Sequence, residues 1–218
     1  MTDELSSRRP LKSRDTRWAA AAAKFLASIG LRPNQISVLS VLFAAVAGAT
    51  FWFVPQVAEK WRPWLLLAAA VNVQCRLLCN LFDGMVAIEG GFKTKSGEIY
   101  NELPDRFADV FILIGAGYAS ASVFWSPLVG WLAAVLAVMT AYVRALGAST
   151  GAGQHFCGPM AKPHRMAAIT IACLLEAIGL WAHWSFNVLP WCLVIVIIGC
   201  LVTVMRRRSR IVRALEAK

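Results

Sequence analysis

Apolar residues occur in six long runs that are separated by short polar stretches. The runs cover about residues 36–54, 63–82, 107–125, 127–149, 166–184 and 187–205. A transmembrane helix needs roughly 20 mostly apolar residues to cross the hydrocarbon core of a bilayer. The pattern therefore predicts an all-α, polytopic membrane protein with six transmembrane helices.

A different pattern precedes the first run. Residues 16–29 combine bulky apolar side chains such as Trp18 and Phe25 with the basic Arg17, and Gly30 follows them. A short helix with one apolar and one basic face lies in the headgroup plane of a membrane. We therefore expect an N-terminal amphipathic interfacial helix here.

The composition supports a membrane protein and argues against a nucleic-acid partner. The chain is 58% hydrophobic and 16% charged, whereas about a quarter of the residues of a soluble domain are charged. The net charge is +10, but the basic residues flank the apolar runs, which indicates contact with anionic lipids. The six cysteines form no CxxC or Cys/His motif, so we interpret them as buried apolar residues rather than as disulfides or zinc ligands.

The distribution of basic residues predicts the orientation in the membrane. Seven Lys or Arg residues precede residue 36 and six occur from Arg206 onward, whereas only Lys60 and Arg62 lie on the opposite side. The positive-inside rule then places both termini in the cytoplasm, together with the connections after the second and fourth spans. In a bacterium this membrane would be the cell or inner membrane. The chain divides into a basic cytoplasmic segment with the amphipathic helix (1–35), a six-span domain (36–205) and a basic cytoplasmic tail (206–218).

The acidic residues are concentrated in one place. Six of the twelve fall within residues 83–109. Asn80 and Asp83 are three residues apart, and Asp105 and Asp109 are four apart, so each pair shares one face of a helix. Because both pairs adjoin apolar runs at the predicted cytoplasmic side, they predict an oxygen-rich site for a hard divalent cation such as Mg²⁺ or Mn²⁺.

These residues also carry a family resemblance. The segment Asp83-Gly84-x-x-Ala87 followed by Asp105-x-x-x-Asp109 resembles the signature of the CDP-alcohol phosphatidyltransferases, and residues 33–37 (PNQIS) are similar to the start of the first span in that family. The resemblance implies a metal-dependent membrane enzyme with six spans. Such an enzyme transfers a phosphatidyl group from CDP-diacylglycerol to a polar alcohol, which can itself be phosphorylated, and releases CMP.

The resemblance also implies roles for individual residues. Asp109 would be the general base that takes the proton of the acceptor hydroxyl. The metal would be held by Asn80, Asp83, Asp105 and Asp109, and the donor would be bound by Gly84, Ala87, Asn34 and Arg76. Arg76 has further interpretations. It could pair with Asp83 or Asp105, replace the positive charge that the family has at the position of Ile88, or extend to the membrane interface.

Two positions depart from the family signature. Asn80 stands where the family has its first aspartate, and Ile88 stands where it has an arginine. An asparagine carbonyl can bind a metal ion but neutralises no charge. We therefore expect weaker metal binding, or one metal ion instead of two.

The downstream half of the signature can be aligned in two registers. We favour the register in which four residues are inserted, so that Asp105 and Asp109 are the third and fourth family aspartates. Strict spacing would instead select Gly97, Asn101 and Asp105, which leaves fewer carboxylates in the site.

A basic constellation follows the fourth span. Arg144 precedes a glycine-containing loop that leads to Lys162, His164 and Arg165. Backbone N–H groups and cationic side chains of this kind bind phosphate, so the sequence predicts a phosphate pocket for the acceptor or the donor. The alternative is that these cations only anchor the loop to anionic headgroups.

Other functions stay open at this point. The same family motif serves the transfer of a phospho-alcohol from a CDP-alcohol to a lipid hydroxyl. A non-catalytic cation-binding membrane protein or a transporter is an alternative of another class, and a homodimer is left open. Glu176, within the fifth run, is either a functional carboxylate or a structural hydrogen-bond partner.

Overall fold

The computed structural model describes residues 16–92 and 97–217, and most of these residues lie in seven α-helices. The helices are α1 (Arg17–Ser28), α2 (Pro33–Phe53), α3 (Arg62–Glu89), α4 (Gly97–Ala119), α5 (Ser126–Ser149), α6 (Lys162–Trp181) and α7 (Val188–Glu216). Two short 3₁₀ turns, Val54–Gln56 and Glu59–Trp61, connect α2 to α3. The described residues contain no strand, and the predicted all-α class is confirmed.

The helices have the length and composition of membrane spans. Five of them, α2, α3, α5, α6 and α7, are long and apolar enough to cross a bilayer. Large apolar side chains such as Val135 and Ile195 are exposed on their outer faces, as expected where lipid is the solvent. The integral membrane character is confirmed, whereas the count of six spans stays a prediction because α4 does not meet the same criterion within the described residues.

Two predicted boundaries differ from the observed helices. The third run was expected at 107–125, but α4 begins at Gly97 and ends at Ala119. The first three turns of the helix were not predicted, because they contain polar and charged residues and therefore do not form an apolar run. The last helix continues to Glu216, well past residue 205, because the basic residues beyond the run are good helix formers.

The N-terminal amphipathic segment forms α1, close to the predicted range. Its small residues Ala19 and Ala23 are completely buried where α1 packs on α3. Trp18 meets Phe82 edge to face, with ring centroids 6.1 Å apart. Because Phe82 directly precedes Asp83, α1 lies against the end of α3 that carries the acidic motif.

Six helices form a closed ring of neighbours. Around the ring, α2 packs on α4, α4 on α5, α5 on α7, α7 on α6, α6 on α3, and α3 on α2. The α2–α4 contact is very close, since a Cβ atom on Gly115 would lie 2.7 Å from the Cα of Gly48. Small residues permit such backbone approach in membrane helix packing.

The ring gathers both chemically rich segments at one end. The starts of α2, α4 and α6 meet the ends of α3, α5 and α7 there, as the contacts described below show. Arg207 near the end of α7 donates hydrogen bonds to the carbonyl oxygens of Cys157 (3.0 Å) and Thr140. These bonds hold the α5–α6 connection against the bundle.

Glu176 has a structural partner at the opposite end. Its carboxylate accepts hydrogen bonds from the backbone N–H groups of Val188 and Leu189 at the start of α7. These N–H groups have no partner within the helix, so the carboxylate caps them. The structural interpretation of Glu176 is the one that these contacts support.

Candidate active site

The acidic residues of α3 and α4 lie together beneath the surface of the bundle. Asp83, Asp105 and Asp109 are all buried, and Asp109 is the most deeply buried of the three. An isolated buried carboxylate is costly, so each needs hydrogen bonds or a cation. The partners of each carboxylate therefore define the site.

Asp83 is held by Ser37, near the start of α2. The Ser37 hydroxyl donates a 2.9 Å hydrogen bond to its Oδ2, and the backbone N–H of Gly84 donates to its Oδ1. Ser37 lies in the segment that resembles the family's first span, so this bond joins two parts of the resemblance across 46 residues of sequence.

Arg76 lies one to two turns before the motif on α3 and is completely buried. Its Nη2 donates to Asp109 Oδ1 at 3.1 Å and to Asp105 Oδ1 at 3.4 Å. The predicted pairing of Arg76 with Asp105 is present. The contact with Asp109 was not predicted. Its Nε and Nη1 have no hydrogen-bond partner among the described residues.

Arg165, on the first turn of α6, provides the second cation for Asp109. Its Nη2 donates to Asp109 Oδ2 at 2.6 Å, and its Nη1 donates to the carbonyl of Met160 at 2.9 Å and to Thr140 Oγ1 at 3.3 Å. Both oxygens of Asp109 thus accept hydrogen bonds from guanidinium groups. Arg165 was predicted to bind a phosphate, and the structure turns it toward a carboxylate.

Lys162, the first residue of α6, reaches the oxygen atoms of α3 and α4. Its Nζ donates to Asn80 Oδ1 at 2.7 Å and pairs with Asp105 Oδ2. The amide of Asn80 is held in turn, because its Nδ2 donates to the carbonyl of Arg76 at 3.0 Å. Arg106 extends the network at the rim with Nη2 3.7 Å from Asp105 Oδ2.

The remaining predicted phosphate ligands lie at the periphery. Arg144 pairs with Glu102, and its guanidinium lies 5.2 Å from the ring centroid of Phe156. His164 is exposed. The structure thus brings Lys162 and Arg165 into the acidic cluster and leaves Arg144 and His164 outside its buried centre.

The other predicted donor-binding residues are partly buried along the same helices. Gly84 and Ala87 lie on α3 next to Asp83, and Asn34 lies in the first turn of α2. Asp105 and Asp109 both enter the cluster, as the favoured register requires. The side chain of Asn101 lies outside the described part, so the alternative register stays untested.

Protein donors already engage the carboxylate oxygens of the cluster. In residues 16–92 and 97–217, no group of three His, Cys, Asp or Glu side chains has the arrangement of metal ligands. Two of the predicted ligand oxygens, Asn80 Oδ1 and Asp105 Oδ2, contact the Lys162 ammonium between α3 and α4, whereas the oxygens of Asp109 contact Arg76 and Arg165. The predicted metal ligands therefore lie in one cluster, in which Lys162 occupies the position between Asn80 and Asp105.

Four residues of the site network, Ser37, Glu102, Arg106 and Thr140, were not predicted from the sequence to belong to it. Ser37 was predicted only to be part of the α2 motif, and no role was predicted for Glu102, Arg106 or Thr140. Glu102 could have been found, since it lies one turn from Asp105 on the same helix. Thr140 carries no such signal, because its role depends on the packing of α5 against α6 and α7.

Comparison with known proteins gives relatives along most of the chain. No protein-family model matches it. The archaetidylinositol phosphate synthase of Pyrococcus horikoshii is 26% identical over 168 residues, which cover 77% of this chain and 82% of the relative. The phosphatidylinositol phosphate synthase of Mycolicibacterium smegmatis is 26% identical over 189 residues, covering 85% and 79% respectively.

Solved structures share the fold. The phosphatidylinositol phosphate synthase of Mycobacterium tuberculosis with CDP-DAG bound superimposes with a TM-score of 0.72 at 17% identity, covering 90% of this chain and 94% of that one. The same enzyme in complex with manganese and citrate gives a TM-score of 0.72 at 17% identity, with 88% of each chain covered. At this identity the likeness concerns the fold alone.

Proposed function

We propose that this chain, a member of the CDP-alcohol phosphatidyltransferase family, transfers a phosphatidyl group from CDP-diacylglycerol to a polar alcohol and releases CMP. The relatives along most of its length are phospholipid synthases of that family, which confirms the resemblance seen in the sequence. The finer assignments below are proposals for this chain.

One observation carries the proposal. Three carboxylates from α3 and α4 are held together with the Asn80 amide at one end of a membrane bundle, where α6 contributes Lys162 and Arg165. Carboxylates and cations at the edge of a bilayer suit a donor whose acyl chains lie in the membrane and whose pyrophosphate lies at its surface. A transporter would place its charges near the midplane of the bilayer instead.

The donor set is suitable for a hard divalent cation. A related structure is in complex with manganese, and here the Lys162 ammonium marks a cationic position between oxygens of Asn80 and Asp105. Asp83, Asp105 and Asp109 would hold Mg²⁺ or Mn²⁺, and Asn80 is the fourth ligand position of the signature. When bound, the metal would neutralise the pyrophosphate and polarise the phosphorus under attack.

The protein's own groups would complete the transfer. The acceptor oxygen forms a bond to the phosphorus that carries the lipid, the bond from that phosphorus to the bridging oxygen breaks, and CMP leaves. Asp109 would take the hydroxyl proton. Arg76 and Arg165, which hold its two oxygens, act as positioning residues for this carboxylate.

A phosphorylated polyol is the acceptor that the surroundings support best. The names of both relatives describe products with an inositol phosphate headgroup. Around the cluster, Lys162 is partly exposed and Arg144 and His164 lie at its periphery. Cations of this kind bind a phosphate monoester. When Arg144 binds this phosphate, it would release Glu102, and the Glu102 carboxylate would then be hydrated by the solvent.

The orientation follows from the charge pattern. The site lies at the same end of the bundle as the basic helix α1 and the arginines of α7. We place this end in the cytoplasm by the positive-inside rule. A polar acceptor would then approach from the cytoplasm and the lipid donor from the bilayer.

Purified protein in lipid nanodiscs provides the test. It is incubated with CDP-diacylglycerol, Mn²⁺ or Mg²⁺, and single acceptors: inositol phosphate, glycerol 3-phosphate, inositol, serine or choline. We expect CMP release and a new lipid, identified by mass spectrometry, with a phosphorylated acceptor. Absence of CMP with every acceptor would reject the function. In a second assay, CMP release from CDP-choline with diacylglycerol would instead favour the transfer of a phospho-alcohol to a lipid hydroxyl.

A further inference from the structure

The Lys162 ammonium lies among atoms that the signature assigns to a metal ion. It reaches from the first turn of α6 to Asn80 Oδ1 at 2.7 Å and to Asp105 Oδ2. One acceptor belongs to α3 and the other to α4, the two helices that carry the acidic motif. The Lys162 ammonium therefore bridges the two helices as a bound metal ion would.

Asn80 is suited to a lysine partner. Its Nδ2 donates to the carbonyl of Arg76 one turn earlier at 3.0 Å, which directs its Oδ1 toward Lys162. An aspartate in this rotamer would bring an oxygen against the Arg76 carbonyl, with repulsion in place of a hydrogen bond. The asparagine that departs from the family signature is thus matched to the position of Lys162.

The formal charges at the centre of the site agree with this pairing. Three carboxylates, Asp83, Asp105 and Asp109, meet the cations Arg76, Lys162 and Arg165, and Arg106 lies at the rim 3.7 Å from Asp105, so the cations already match or outnumber the carboxylates. An aspartate at position 80 and a neutral residue at position 162 would together lower the net charge by two. That difference equals the charge of one divalent cation.

We propose that the Lys162 ammonium permanently occupies one cation position of this site, with Asn80 as its matched partner, so that the chain binds one divalent ion fewer than a site with aspartate at position 80. The inference rests on the proposed function for the identity of the ligand as Mg²⁺ or Mn²⁺. The donor pyrophosphate would then meet one ammonium where the signature implies a metal ion.

Counting bound Mn²⁺ tests the proposal without any substrate. The electron paramagnetic resonance signal of free Mn²⁺ is titrated with wild-type protein in nanodiscs and with the double variant N80D/K162Q. We expect the double variant to bind one more Mn²⁺ per chain. The control is K60Q, which removes an exposed lysine at the opposite end and should match the wild type. Equal counts in the wild type and a folded double variant would overturn the proposal.

A second measurement uses only the wild-type chain, in case the double variant does not fold. Lysines are acetylated with acetic anhydride, with and without saturating Mn²⁺, and quantified by mass spectrometry against Lys60. We expect Lys162 to be protected to the same extent in both samples. Increased labelling of Lys162 with Mn²⁺ would show that the metal displaces it and would overturn the proposal. Absence of CMP release in the enzyme assay would reject the proposed function. The Mn²⁺ count and the labelling of Lys162 could still be interpreted, because neither measurement uses a substrate.

Discussion

Arg165 and Asp109 form a buried ion pair that joins α6 to α4, with Nη2 2.6 Å from Oδ2 and each side chain 1% exposed. Breaking a buried pair by removing one partner leaves an uncompensated charge. Arg76 compensates part of that charge, because it contacts the other oxygen of Asp109. The stability of the bundle and the geometry of the site therefore depend on the same carboxylate.

We predict that Arg165→Met destabilises the protein by about 3 kcal/mol or more. Its removal also leaves the Met160 carbonyl without the donated hydrogen bond. Thermal unfolding in nanodiscs measures the effect. The double variant Asp109→Asn/Arg165→Met should recover part of the loss, and strict additivity of the two substitutions would show that the pair is not coupled.

Asp109→Asn should reduce CMP release by roughly 10²- to 10⁴-fold, the usual contribution of a general base. The amide is nearly isosteric but leaves Arg165 without its charged partner, so the unfolding temperature should fall and rates are compared at a temperature at which the variant is folded. Glu59→Gln, in the turn before α3 at the opposite end, is the matched control. Full activity of Asp109→Asn would reject the assignment of the base.

The alignment register can be tested with two alanine variants. If Asp105 and Asp109 are the third and fourth family aspartates, Asp109→Ala should inactivate and Asn101→Ala should retain most of the activity. Initial rates of CMP release at saturating donor decide the question. The reverse result would select the register that contains Gly97 and Asn101.

Ser37→Ala should weaken the site without unfolding it. The variant removes the 2.9 Å hydrogen bond to Asp83, and hydrogen bonds to charged groups contribute about 1.5–3 kcal/mol. We expect the apparent Mn²⁺ affinity in the assay to fall roughly 10-fold or more, since about 1.4 kcal/mol corresponds to tenfold. Ser149→Ala is the control, because the Ser149 hydroxyl is exposed and bonds only within α5. An unchanged Mn²⁺ dependence would show that the hydrogen bond from Ser37 does not help Asp83 to bind the metal ion.

Gly115→Ala should separate α2 from α4. The added methyl carbon would lie 2.7 Å from the Cα of Gly48, far inside van der Waals contact, and overpacking of this kind costs about 1–3 kcal/mol. Thermal unfolding should show the loss. An unfolding temperature equal to that of the wild type would mean that the two helices pack less closely than described.

The helices could be predicted from the sequence more completely than the site. Apolar runs report directly on burial in lipid, so α2, α3, α5, α6 and α7 were expected near their observed positions. The start of α4 was not, because its first turns are polar and Pro104 interrupts its backbone hydrogen bonds.

The pairing of charges in the site had no comparable signal. Asn80 and Lys162 are 82 residues apart, and Asp109 and Arg165 are 56 apart. The sequence places each cation at the correct end of the bundle through the topology of the spans. Which carboxylate each cation contacts depends on how far α6 is rotated against α3 and α4, and hydrophobic periodicity leaves that rotation undetermined.

The path of α7 has a practical consequence for handling this protein. Residues 206–218 read as a tail that could be trimmed or replaced by an affinity tag. Yet Arg207, one of its first residues, donates hydrogen bonds to the backbone carbonyl oxygens of Cys157 and Thr140. Deletion from residue 206 would remove a clamp on the loop that leads to Lys162, so an inactive truncated protein would reveal little about the tail itself. Tags are better placed after residue 217, where the last helix has already ended.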